Sequence, residues 1–149
     1  MMNEETKNLS TSALNHLLAA FTVTAQNARF CHWNVVGPVF EDNHEMFEDL
    51  YTFLAESIDE IAERVRALQE FPMSKLADYL TETSLQEYSL PMTAPQMQGA
   101  VLKDLEHISD EMHTFIKNTE DDHVTQDLII GLKKEIEKKA WMFRAMLGK

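Results

Sequence analysis

The chain has 149 residues, of which 44% are hydrophobic and 26% charged, a length and balance that suit one globular domain with its own core. Only 4 Gly and 4 Pro punctuate a sequence rich in Leu, Ala, Glu, Met and Lys, so the expected class is all-α. The formal charge of −12 argues against a broad nucleic-acid surface, which is built from Lys and Arg, and favours cations as partners.

No signal peptide or membrane-length apolar run is legible, and the single cysteine, Cys31, has no partner within the chain. Both features point to a reducing cytoplasm, and Cys31 reads as a small buried hydrophobe.

Residues 1–9 read as a short flexible arm preceding a single domain that fills the rest of residues 1–149. A first helix is expected from Ser10 or Thr11, both good N-caps, to about Val35, with Leu14, Leu17, Leu18, Phe21, Ala25 and Ala28 facing inward. His32 lies in its last turns, where a histidine is also suited to the negative end of the helix dipole.

After a Gly37-Pro38 turn comes a second long helix. Phe47, Leu50, Tyr51, Leu54, Ile58, Ile61, Ala62, Val65 and Leu68 recur on it at three- and four-residue steps, the stripe of an amphipathic helix. With Phe47 at zero and about 100° per residue, the candidate metal ligands His44, Glu48, Asp59 and Glu63 fall at roughly 60°, 100°, 120° and 160°. They flank the core, whereas ligands for the middle of one bundle should project inward with the apolar residues.

Asp59 and Glu63 sit one turn apart and can grip one ion, but His44 lies about 22 Å away along the axis. One chain cannot close such a site. Two copies of this helix crossing antiparallel near residues 53 and 54, where Thr52 and Ala55 permit close approach, would complete it twice.

Between Gln69 and Met92 the pattern weakens into a connector with a possible short helix over Ser74–Leu80, long enough to run back along the bundle. A third helix is expected from Thr93, with Gln96 completing a capping box, and its His107 and His113 read as surface or interhelical polar residues. The last helix opens after Glu120-Asp121-Asp122, an acidic cap, and runs to Gly148. Two ExxH strings, Glu41 to His44 and Glu120 to His123, suggest an intrachain di-iron centre, but both lie at helix starts, at opposite ends of the bundle.

The run His32-Trp33-Asn34-Val35-x-Gly37-Pro38-x-Phe40, followed by His44, Tyr51 and Asp59-Glu60-x-Ala62-Glu63-Arg64, resembles the signature of the Dps family, the mini-ferritins. Asp122-x-x-Thr125-x-Asp127-Leu128 and Trp141-Met142-x-x-Ala145-x-Leu147 resemble that family's last helix, so the likeness covers nearly the whole chain. The resemblance implies a ferritin-like four-helix bundle with a long crossover carrying a short helix between the second and third helices.

It further implies a ferroxidase centre between two subunits, with His32 and His44 from one and Asp59 and Glu63 from the other, and Glu48 assisting a second, weaker iron position. Fe(II) would be oxidised there, preferentially by hydrogen peroxide rather than dioxygen, and stored as ferric mineral inside a shell of twelve subunits. Protection of DNA would then be indirect. In the family the start of the last helix lines a three-fold pore for cations, a role the match gives to Asp122 and Asp127. The alternative, a nucleoid protein that coats DNA, is opposed by the charge and by an N-terminal arm with a single lysine where DNA-binding relatives are lysine-rich.

Overall fold

A computed structural model describes residues 2–149. Five helices follow in order: α1 (Glu4–Asn34), α2 (Phe40–Ala67), α3 (Leu76–Glu82), α4 (Ala94–Asn118) and α5 (His123–Met146). α1 packs along α2 and α4 along α5, with α1 also meeting α4 and α3, and α2 meeting α5. The result is the expected four-helix bundle with a long crossover bearing a short helix.

The inward faces follow from the heptad-like spacing. Leu14, Leu17, Leu18 and Phe21 of α1 are buried with Phe47, Leu50, Leu54 and Ile61 of α2 and with Leu105 and Ile108 of α4. Phe143 of α5 stacks on Phe47 with ring centroids 5.6 Å apart. Each such side chain, fully removed from water, contributes about 1.5–3 kcal/mol.

The N-terminal arm is a correction. Asn3 caps a helix that starts at Glu4, its Oδ1 accepting from the Thr6 N–H at 2.8 Å, and Glu4 and Glu5 sit where the helix dipole favours acids. Thr6 and Ser10 are buried, and Lys7 pairs with Glu70 at 2.8 Å, so α1 begins as part of the bundle.

The crossover is tied down by side chains of α1. Asn15 Oδ1 accepts from the Met73 N–H at 2.9 Å, and Asn27 both donates to the Gln86 carbonyl at 2.9 Å and accepts from the Tyr88 N–H at 3.0 Å. α3 occupies Leu76–Glu82, two residues later than Ser74–Leu80. The capping box of α4 forms as expected, Thr93 and Gln96 satisfying each other's backbone N–H groups.

Candidate metal centre

The turn between α1 and α2 sets the site. Gly37 has φ +106°, open only to glycine, and Val39, the residue before α2, sits in the left-handed region at φ 58°, ψ 30°. This tight reversal brings His44, in the second turn of α2, against His32, in the last turn of α1. Their rings stack with centroids 3.6 Å apart at 12°.

Each imidazole donates to the other residue's backbone: His32 Nδ1 to the His44 carbonyl at 2.7 Å, and His44 Nδ1 to the His32 carbonyl at 2.8 Å. A carbonyl can only accept, so both Nδ1 atoms carry the proton and both Nε2 lone pairs are left for a cation. Such an outer hydrogen bond fixes ring orientation and tautomer in metal-ligating histidines. Phe40 covers the far side of His44 at 5.1 Å, and Tyr51 meets His32 edge-on at 5.3 Å. The dipole-capping role open to His32 from sequence alone gives way to this mutual lock.

Glu48 lies one turn beyond His44, exposed, with the Tyr51 hydroxyl 3.5 Å from its Oε1. Asp59 and Glu63 are exposed one turn apart on the same flank, and neither forms an ion pair among the described residues. Thr52, also exposed, and the half-buried Ala55 lie between the two ends. The chain therefore presents an imidazole pair at one end of α2 and a carboxylate pair about 22 Å further along. Among the described residues no three His, Cys, Asp or Glu gather closely enough to hold an ion.

Asp122 and Asp127 part company. Asp127 is exposed and borders a groove between α2 and α5 together with Glu56, Glu60 and Glu135. Asp122 is 3% exposed, and its carboxylate accepts three hydrogen bonds: from Arg64 at 3.0 Å, from Ser10 Oγ at 2.7 Å and from the Thr125 N–H at 3.2 Å. Burial alone would raise this carboxyl, but the Thr125 and Ser10 hydrogen bonds and the Arg64 guanidinium outweigh it and hold it below the usual carboxylate range. The expectation that Asp122 lines a channel is corrected: it caps α5 and ties it to α1 and α2.

Two further polar clusters had no signature in the spacing. His16 of α1 is bonded to Glu111 of α4, which also lies 3.4 Å from His107, while Glu82 of α3 stands 3.7 Å from His16. The Glu111 bond in particular raises the His16 imidazole above its ordinary value. Near Cys31, the Tyr88 hydroxyl donates to Asp104 Oδ2 at 2.7 Å. Burial, with the Asp104 charge, pushes the Cys31 thiol up to about 12, so it stays a thiol, as its reading as a small hydrophobe requires.

A family profile described as "Ferritin-like domain" matches residues 11–149. The chain is 41% identical over 137 residues to DNA protection during starvation protein 2 of Bacillus anthracis, covering 91% of this chain and 94% of that one. It is 38% identical to the DNA protection during starvation protein of Listeria monocytogenes, over 91% and 90% of the two chains. Among solved structures, a Dps protein from Bacillus brevis superposes with a TM-score of 0.94 at 32% identity, over 98% and 99% of the chains. Dps from Listeria monocytogenes superposes with a TM-score of 0.90 at 37% identity, over 94% of each. A Dps protein from Vibrio cholerae, described as a member of a broad superfamily of ferritin-like diiron-carboxylate proteins, superposes at 0.90 with 30% identity, over 96% and 91%. This chain belongs to the ferritin-like family, in its Dps branch.

Proposed function

We propose that the protein is a ferroxidase and iron store whose centres form between two-fold related subunits. Each centre takes His32 and His44 from one chain and the partner subunit's Asp59 and the partner subunit's Glu63. The observation that carries this reading is the reciprocal lock of His32 and His44, which leaves both Nε2 lone pairs unspent, while among the described residues no three metal-ligating side chains gather to complete a site within one chain.

Imidazoles and carboxylates together suit Fe(II), and positions left open admit an oxidant. Glu48, one turn from His44, is placed to draw in a second ion. With two Fe(II) at a centre, hydrogen peroxide takes both electrons and two protons and leaves as two waters, so no hydroxyl radical forms. This favours peroxide as the oxidant. Asp127 and its neighbours Glu56, Glu60 and Glu135 offer an acidic path for the incoming cation. The ferric product would collect inside a shell of twelve chains, in the cytoplasm, and DNA would be protected by removal of iron and peroxide. Coating of DNA is opposed by the charge of −12.

Sizing of the native protein, followed by Fe(II) oxidation with peroxide and dioxygen supplied separately, tests the reading. The expected result is a particle about twelve times 17.2 kDa that oxidises Fe(II) faster with peroxide. A monomer, or a particle inert toward both oxidants, would contradict it.

A further inference from the structure

The proposed chemistry uses two electrons, but a centre holding a single Fe(II) can give peroxide only one, releasing hydroxide and a hydroxyl radical. A second electron must then come from the protein. Phenols and indoles are the side chains that give up one electron to form persistent radicals, and they differ in where a proton can go.

Oxidation of tyrosine is easiest when its hydroxyl proton has a positioned acceptor. The chain has 3 Tyr. Tyr51 has only Glu48, exposed and at a long 3.5 Å. Tyr79 donates to the Met73 carbonyl at 2.6 Å, and an amide carbonyl does not take the proton away. Tyr88 alone donates to a carboxylate at short range, Asp104 Oδ2 at 2.7 Å. Trp33 and Trp141 are 64% and 58% exposed.

Tyr88 is also held in register with the ligand-bearing end of α1. Its N–H is fixed by Asn27 at 3.0 Å, and its ring meets the edge of Phe30 at 6.2 Å, two residues before His32. We propose that Tyr88, with Asp104 as proton acceptor, is a built-in one-electron donor that quenches oxidising equivalents escaping from a partly loaded iron centre.

The step balances. Fe(II), peroxide, the Tyr88 phenol and the Asp104 carboxylate give Fe(III), two hydroxides, the Tyr88 phenoxyl radical and the Asp104 carboxylic acid. One electron comes from iron and one from the phenol, and the phenolic proton moves to Asp104. Burial raises the Asp104 carboxyl, which makes it a better base than an exposed aspartate.

The proposal rests on the ferroxidase reading, so the test has one arm with iron and one without. In the first, the assembled protein receives one Fe(II) per centre and then peroxide, and is freeze-quenched for electron paramagnetic resonance. In the second, the metal-free protein is oxidised by a flash-generated ruthenium(III) polypyridyl. In both, wild type should give a tyrosyl radical that Y88F abolishes and that Y51F and Y79F retain. D104N should slow its formation about a hundredfold, the range for losing a positioned proton acceptor, and wild type should show a solvent deuterium isotope effect. A radical unchanged in Y88F, or located on a tryptophan in wild type, would overturn the proposal. If Fe(II) is not oxidised at all, the ferroxidase reading fails, and the metal-free arm still decides whether Tyr88 and Asp104 are the donor pair.

Discussion

Two hydrogen bonds decide which ring nitrogens His32 and His44 have free. Because each Nδ1 is spent on the other residue's carbonyl, rotation of either ring breaks a bond that joins the two helices, and the Nε2 pair is preorganised. Asp122 shows the opposite use of a polar side chain, a buried tie whose two oxygens are both engaged within the chain. D122N should lower stability by about 2 kcal/mol, the scale of a hydrogen bond to a charged partner, measured as a shift of the denaturant midpoint. D127N should slow Fe(II) uptake without moving that midpoint, and the reverse pattern would exchange the two roles. Folding holds the Asp122 carboxyl below its ordinary 3.8. Its contribution is therefore complete above that value and is lost as pH falls through the lower folded value. His16 has the other sign: raised above 6.5, it contributes fully below 6.5 and loses that contribution as pH rises through its folded value. Stability measured against pH should show the acid loss blunted in D122N and the loss above 6.5 blunted in H16Q; unchanged profiles would reject these two ties.

At the scale of elements, the cost of assembling the site lies in the reversal between α1 and α2. Val39 is β-branched and yet left-handed, a conformation unfavourable for such a residue by about 1–2 kcal/mol. V39N, which suits that conformation, should raise the melting temperature of the protein, and V39T should not; a fall with Asn would mean that the exposed Val39 side chain is needed elsewhere. The helices themselves were legible because apolar periodicity, Thr93 with Gln96, and Asp122 as a cap are local signals. The direction of His44, Glu48, Asp59 and Glu63 away from the core was legible for the same reason, since azimuth on a helix follows from spacing alone. What sequence could not give was the side chain opposite. The resemblance implies a pore role for Asp122, and nothing local announces that Ser10, more than a hundred residues earlier, and Arg64 converge on it. The first turn of α1 reads as an arm in the sequence because its reward, the Asn3 cap aside, is tertiary: burial of Thr6 and Ser10 and the Lys7–Glu70 pair.

On the proposed reading the whole molecule is half of a machine. Imidazoles gathered at one end of α2 and acids at the other have no use to each other in one chain, but an antiparallel dyad exchanges the ends, and a two-fold interface repeats every such contact. The exposed flank carrying Thr52, Asp59 and Glu63 leaves the necessary surface clear of the bundle's own core. The most direct measurement uses two double variants, H32A with H44A and D59A with E63A, each assembled alone and then co-assembled in equal amounts. Alone, both should fail to oxidise Fe(II) with peroxide. Co-assembled, half the dimers are mixed and each mixed dimer has one intact centre, so about a quarter of wild-type centres should return, as isologous pairing requires. Mixed particles with no recovered activity would contradict a centre shared between chains.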